Sequence, residues 1–254
     1  MLGANNAIGR VKPQAGGAVQ RSVDVVFGLS IRRVRRVLLL IVLGLAVASA
    51  LAQVAKYQLD FASAGIANLF DANFEANLPT LYSTVALALT AFLLAAIAVS
   101  AREDEAFSRW IALSGLFALA AVDEAASIHE LLNDPLRSWL GTGGFLSYPW
   151  IIVGAVLALA VAIFFRRFVG RLPPAVRRLA VLGMLLFATG ALVVEGFENL
   201  VVDRSGGEPT LWSGLVGTLS ELFEMVGVVL IIEALLLFIA RERGSVSIVI
   251  RPQA

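Results

Sequence analysis

The chain has 254 residues, of which 59% are hydrophobic and 15% charged, with a formal net charge of +1 and a mean hydropathy of +0.85. Water-soluble domains carry about 25% charged residues, so this composition excludes an ordinary soluble globule and points to the membrane class. The absence of cysteine excludes disulfides, thiolate metal ligands and thiol catalysis, and the arginines stand beside no nucleic-acid-reading element, so nucleic acid is not an expected partner.

From Met1 to about Gln20 the chain is rich in Gly, Ala and Gln and reads as a disordered arm, 1–21, ahead of a single membrane domain over 22–254. Residues 22–36 set Val, Phe and Ile against four arginines, the pattern of a helix lying on the membrane surface. Six apolar stretches follow, each approaching the roughly 20 residues that cross a bilayer: 37–55, 80–101, 110–133, 148–166, 179–202 and 211–239. The first has a competing reading as a signal peptide, with Leu38–Ala46 as its apolar region and Ala48-Ser49-Ala50 as the cleavage site. The fold class is therefore all-α, a polytopic membrane helix bundle of six transmembrane helices embedded in a lipid bilayer.

Basic residues fix the expected orientation. With both termini cytoplasmic, seventeen of the twenty Lys and Arg residues fall inside, and only Lys56, Arg137 and Arg204 fall outside. Among the loops, 56–79 is the one long connection. Phe61, Ile66, Leu69, Phe70 and Phe74 recur there at helical spacing, opposite Asp71, Asn73, Glu75 and Asn77. That pattern suits a short helix flat at the outer interface, either parking aromatics among headgroups or covering the site below it. Pro79 opens the second span. Residues 134–147, with Asp134-Pro135 and Gly141-Thr142-Gly143-Gly144, read as a turn-rich connector. Tyr148, Pro149, Trp150 and Trp212 mark an aromatic belt.

Seven acids lie where charge is costly: Asp123, Glu124, Glu130, Glu195, Glu198, Glu221 and Glu224 all fall within apolar spans, together with the chain's single histidine, His129. Each acid near a span's centre costs about 2.5–3.5 kcal/mol, so an ionisable residue there is a functional-site candidate. On a continuous helix Asp123, Ser127 and Glu130 share one face. Glu195 with Glu198, and Glu221 with Glu224, are pairs one turn apart. At about 1.5 Å per residue, the acids of three helices reach similar heights in the outer half, and Glu224 sits deeper.

Three kinds of positive charge could compensate: protons in a hydrogen-bonded network that only joins helices, a divalent metal ion, or protons or cations in passage. The metal reading takes Asp123, Glu130, Glu195, Glu198, Glu221 and Glu224 as ligands and Glu124 and His129 as acid–base groups. A metal-bound water would then attack a membrane-delivered substrate. The competing readings are a proton- or cation-coupled transporter and an accessory subunit of a membrane complex. Glu233, near the inner end of the last span, reads as reaching for Arg241 or its neighbours.

The runs Asp123–Glu130, Asn77–Ser83 and Glu221–Met225 resemble those of a family of bacterial six-span membrane proteins, over about residues 37–240. That resemblance implies topology and an inner (cytoplasmic) membrane location, and no activity. The paired acids also resemble di-metal carboxylate bundles, but the Glu-x-x-His pattern is missing, since Glu198, Glu224 and Ser127 occupy the third positions. Membrane hydrolases related to alkaline ceramidases use several histidines around zinc, and this chain has one.

The orientation is open to direct test. Because the chain lacks cysteine, Ser63→Cys and Ser108→Cys are each the sole thiol, and an impermeant reagent should label the first from outside and the second only after permeabilisation. Labelling of both from one side contradicts the six-span topology.

Overall fold

The computed structural model describes residues 30–59, 65–74, 76–102 and 105–243. Nine α-helices are formed among them: α1 Ile31–Gln58, α2 Gly65–Phe70, α3 Leu78–Ser100, α4 Phe107–Ala126, α5 Asn133–Leu140, α6 Trp150–Arg171, α7 Pro174–Ala188, α8 Glu195–Arg204 and α9 Leu211–Phe238. Five continuous helical runs are long and apolar enough to cross a membrane: α1, α3, α6, α7 joined to α8, and α9 with the turn beyond it. The sixth candidate is α4 together with the helical segment His129–Leu140, bent by 78° between them. The chain is therefore an all-α, multi-span membrane protein. The arm 1–21 lies outside the described residues. From Ile31 the arginine-rich stretch is already part of α1, so the expected surface helix over 22–36 is, over its described part, a continuation of the first span. Ser49, inside the competing cleavage site, is fully buried within that helix.

Local chemistry sets the ends. Asn77 caps α3, its side chain accepting from the Thr80 N–H, with proline in the first turn. Thr210 and Ser213 form a reciprocal capping box at the start of α9. α4 stops at Ala126 because Ser127 takes a left-handed conformation, φ 51°. The expected span 110–133 thus ends seven residues early, and a 3-10 turn His129–Leu132 leads into α5 at a steep angle. With the helix broken there, the face expected to join Asp123, Ser127 and Glu130 does not form. The 134–147 connector is likewise more regular than its composition suggests, since its first half is α5.

α9 is the central post: 56% of its apolar window is buried, against 11% for α6 at the periphery. It packs on α1, α3, α7 and α8. Towards the arginine-rich end the core is apolar, with Leu94, Ile97, Trp110, Val176, Leu235 and Phe238 in one cluster and Trp110 meeting Phe168 and Phe238 at 4.8 and 4.9 Å between ring centroids. The arginine-poor half is polar inside, holding buried Ser49, Gln53, Asp71, Asn77, Asn199 and Thr218. α7 and α9 cross at Gly183 and Gly227, where a Cβ on Gly227 would stand 2.6 Å from the Gly183 carbonyl oxygen.

That crossing gives a stability test. Gly227→Ala should cost about 1–3 kcal/mol by overpacking and lower the melting temperature, whereas Gly170→Ala, which meets nothing within 4 Å, should leave it unchanged or raised. Equal effects would show that the close crossing is absent.

Candidate functional site

Asp71 organises the arginine-poor end of the bundle. Expected to face solvent from the interfacial loop, it is instead 1% exposed. Its carboxylate accepts from Gln53 Nε2 at 2.5 Å, from the Asn73 backbone and side-chain N–H groups at 2.9 and 3.0 Å, and from the Lys56 ammonium. Lys56 also lies over the Phe74 ring. Asn77 ties the turn down by donating to the Asp71 carbonyl at 2.5 Å, and Asn73 Nδ2 reaches the Gly214 carbonyl on α9 at 3.0 Å. Ser49 and Thr218 hydroxyls meet at 2.8 Å between α1 and α9. The described turn around Asp71, Asn73 and Asn77 is thereby locked onto the bundle. The residues that do this lie outside the predicted site. The pairing of Gln53 and Lys56 on one turn of α1 with a run of Asx residues before Pro79 is the sequence signal for it.

Glu198 lies beside this knot. Its carboxylate occupies the space that a Cβ on Gly217 would fill, next to the Asn73 side chain, so a glycine on α9 is what admits it. Its charged neighbours are Glu195 and Asp71. One turn deeper, the backbone leaves α-helical spacing in a π turn, Thr189–Val194, directly before Glu195. π turns inside helices are frequent at functional sites. Gly190 in that turn approaches α9 so closely that a Cβ there would lie 2.6 Å from both the Glu224 Cγ and the Ser220 carbonyl oxygen. The Ser220 hydroxyl donates to the Gly190 carbonyl at 2.8 Å. Glu224 therefore stands against the π turn, with Glu221, Glu124 and Glu195 as its charged neighbours. Its position, about 20 Å along α9 at 1.5 Å per residue, is near the middle of that helix.

Asp123 takes a different partner. One oxygen accepts the His129 backbone N–H at 2.8 Å and the other meets His129 Nδ1 at 3.0 Å. The left-handed Ser127 is what folds the chain back to allow this. His129 packs on Trp150, 4.7 Å between centroids, and the Trp150 indole donates to Glu195 Oε1 at 2.8 Å. Trp150, expected as a belt anchor, is instead the link between the Asp123–His129 pair and Glu195. Glu130 is exposed on the 3-10 turn. At the other end of the bundle Glu233 is buried and pairs with Arg35 Nη1 at 2.8 Å, where the sequence suggested Arg241.

The donors expected for a metal ion thus do not close into one coordination cluster. Among the described residues no three His, Asp or Glu side chains converge so as to hold one. What the fold and site define is a multi-span, all-helical membrane protein with a few buried charged groups and ion pairs inside the bundle. The chain belongs to the family described as Domain of unknown function (DUF8692), whose model matches residues 32–238. No curated protein matches the chain, and no solved structure matches it.

Two measurements probe this geometry. Asp71→Leu leaves the buried Lys56 charge unpaired and should destabilise the fold by about 3–5 kcal/mol, with much of the loss recovered in the double variant Asp71→Leu/Lys56→Met; a fully additive double variant would show that the two do not interact. His129, beyond the end of α4, is pulled two ways. Burial lowers its pKa, but the Asp123 hydrogen bond and charge, with Glu195 and Glu130 further off, raise it above the ordinary 6.5. A raised folded-state value stabilises the fold below the ordinary pKa and is lost as pH climbs through the raised one. Nuclear magnetic resonance of the lone imidazole should show titration above 6.5 in the native protein and below it in Asp123→Asn; a native value at or below the ordinary one contradicts the pairing.

Proposed function

We propose that this protein is a proton-coupled membrane transporter, and that the line of carboxylates Glu198, Glu195 and Glu224, with Glu221 and Glu124 beside the last, is its proton path, the Lys56-paired Asp71 standing fixed at its arginine-poor end. The observation that carries this reading is the succession of acidic neighbours. Glu198 lies within range of the charges of Glu195 and Asp71, and Glu224 within range of those of Glu221, Glu124 and Glu195. The series leads from the arginine-poor end to the middle of α9. Carboxylates brought together in an apolar interior bind protons in place of a counter-ion, and chains of intramembrane acids mark proton relays.

Two further features favour movement over a fixed staple. Glu195 directly follows a π turn, a place where backbone hydrogen bonding is already irregular. Asp123–His129, coupled to Glu195 through Trp150, gives the path a titratable side branch at the surface. A divalent ion would find at most two converging His, Asp or Glu donors among the described residues, and would have to complete its shell with carbonyl, amide or water oxygens.

Proton flux into liposomes bearing the purified protein, followed with an entrapped pH-sensitive dye, tests this. Glu224→Gln should reduce flux on the order of tenfold or more, as loss of a proton-transfer group does, while Glu242→Gln at the exposed end should not. Unchanged flux in Glu224→Gln, or no native flux above empty liposomes, overturns the proposal. Elemental analysis of the same preparation should find no stoichiometric divalent metal.

A further inference from the structure

A cavity of about 270 Å³ lies beside α8, next to the carboxylate line, and no member of that line is in its wall. Arg137, Thr142, Ser147, Tyr148, Asn199 and Asp203 line it. Asn199 is 1% exposed, yet neither its amide nitrogen nor its amide oxygen has a hydrogen-bond partner, and the buried Thr142 hydroxyl lacks one as well. A buried, unpaired amide is costly unless something fills the space beside it, and almost every such group in a folded protein has a partner. Here two residues with unmet hydrogen-bonding capacity face one cavity.

The open side of the cavity is charged with both signs. Arg137 gives two N–H bonds to the Ser147 carbonyl, at 2.9 and 2.6 Å, and stands 5.7 Å over the Tyr148 ring, so its guanidinium is held in place with donors to spare. Asp203 faces the same serine, its oxygen 3.5 Å from the Ser147 hydroxyl. An anion suits Arg137 and an ammonium suits Asp203, while the Asn199 amide both donates and accepts between them. Trp139, Leu131 and Trp212, each at least 70% exposed around this end of the bundle, are the apolar surface that seats protein at headgroup depth.

We propose that this cavity binds a small zwitterion carrying an anionic group and a primary ammonium, of the phosphoethanolamine type, with the anion on Arg137, the ammonium on Asp203 and Asn199 as the buried anchor. Two sources share that chemistry, a phosphatidylethanolamine headgroup and a free soluble zwitterion. The site is independent of the proton path and stands if that path fails.

Melting temperatures of the full-length protein distinguish the cases. In detergent, saturating glycerophosphoethanolamine should raise the melting temperature and glycerophosphoglycerol, which lacks the ammonium, should not. In nanodiscs, phosphatidylethanolamine should raise it over phosphatidylglycerol. A shift with the lipid alone assigns the headgroup, and a shift with the soluble compound alone assigns a free ligand. Asp203→Asn should abolish the preference for the ammonium-bearing compound. Asn199→Leu should abolish the shift while leaving the protein folded, because removing an unpaired buried amide is neutral or stabilising in the absence of ligand. No shift from either source overturns the proposal. So does a shift equal for the two headgroups, or one that persists in Asn199→Leu.

Discussion

A carboxylate inside a bilayer must find a positive charge or give up its own, and the arrangement of this bundle follows from how each buried acid meets that demand. The cost is about 2.5–3.5 kcal/mol per acid near a span's centre, so several uncompensated acids would exceed the 5–15 kcal/mol by which folded proteins are stable. Two acids meet the demand with a named cation, Asp71 with Lys56 and Glu233 with Arg35, and Asp123 meets it with the titratable His129 imidazole. Glu198 lies within range of Glu195 and Asp71, and Glu224 within range of Glu221, Glu124 and Glu195. The same chain therefore contains both ion pairs and a segment of neighbouring acids, the one the proposed proton path runs through.

Glycine spacing and helix irregularity build that segment. Gly217 makes room for Glu198, and Gly190 lets the π turn press against Ser220 and Glu224. Packing is divided along α9. Its arginine-rich half is held by large apolar side chains, and its arginine-poor half by hydrogen bonds from Asn73 to Gly214 and from Ser49 to Thr218. An apolar half and a polar half rich in titratable groups would give the proposed path a packed support on one side and a hydrogen-bonded environment on the other.

Much of this was legible in the sequence, and the failures have a common cause. Span positions followed from apolar run length, because a lipid-facing helix must stay apolar whatever its neighbours do. Pairs on one helix turn, such as Glu221 with Glu224, followed from 3.6-residue periodicity. What periodicity could not supply was the bend at Ser127, a single left-handed residue that sends Asp123 to His129 and ends the expected face with Glu130. The burial of Asp71 was hidden for a related reason. Its partners Gln53 and Lys56 lie 18 and 15 residues earlier, so only the folded loop shows that a loop aspartate is an interior one. Trp150 satisfies the composition of an interfacial belt and the geometry of a link to Glu195 equally well, and the indole hydrogen bond separates them.

The protonation state of the inner carboxylates is the most direct measure of the central claim. Infrared difference spectroscopy across a pH step resolves the carbonyl stretch of a protonated carboxylic acid from the bands of a carboxylate. A proton path predicts a protonated-acid band in the native protein that changes with pH and loses a component in Glu224→Gln. Absence of any such band, with all acids ionised throughout and a stoichiometric metal ion in the sample, would contradict it.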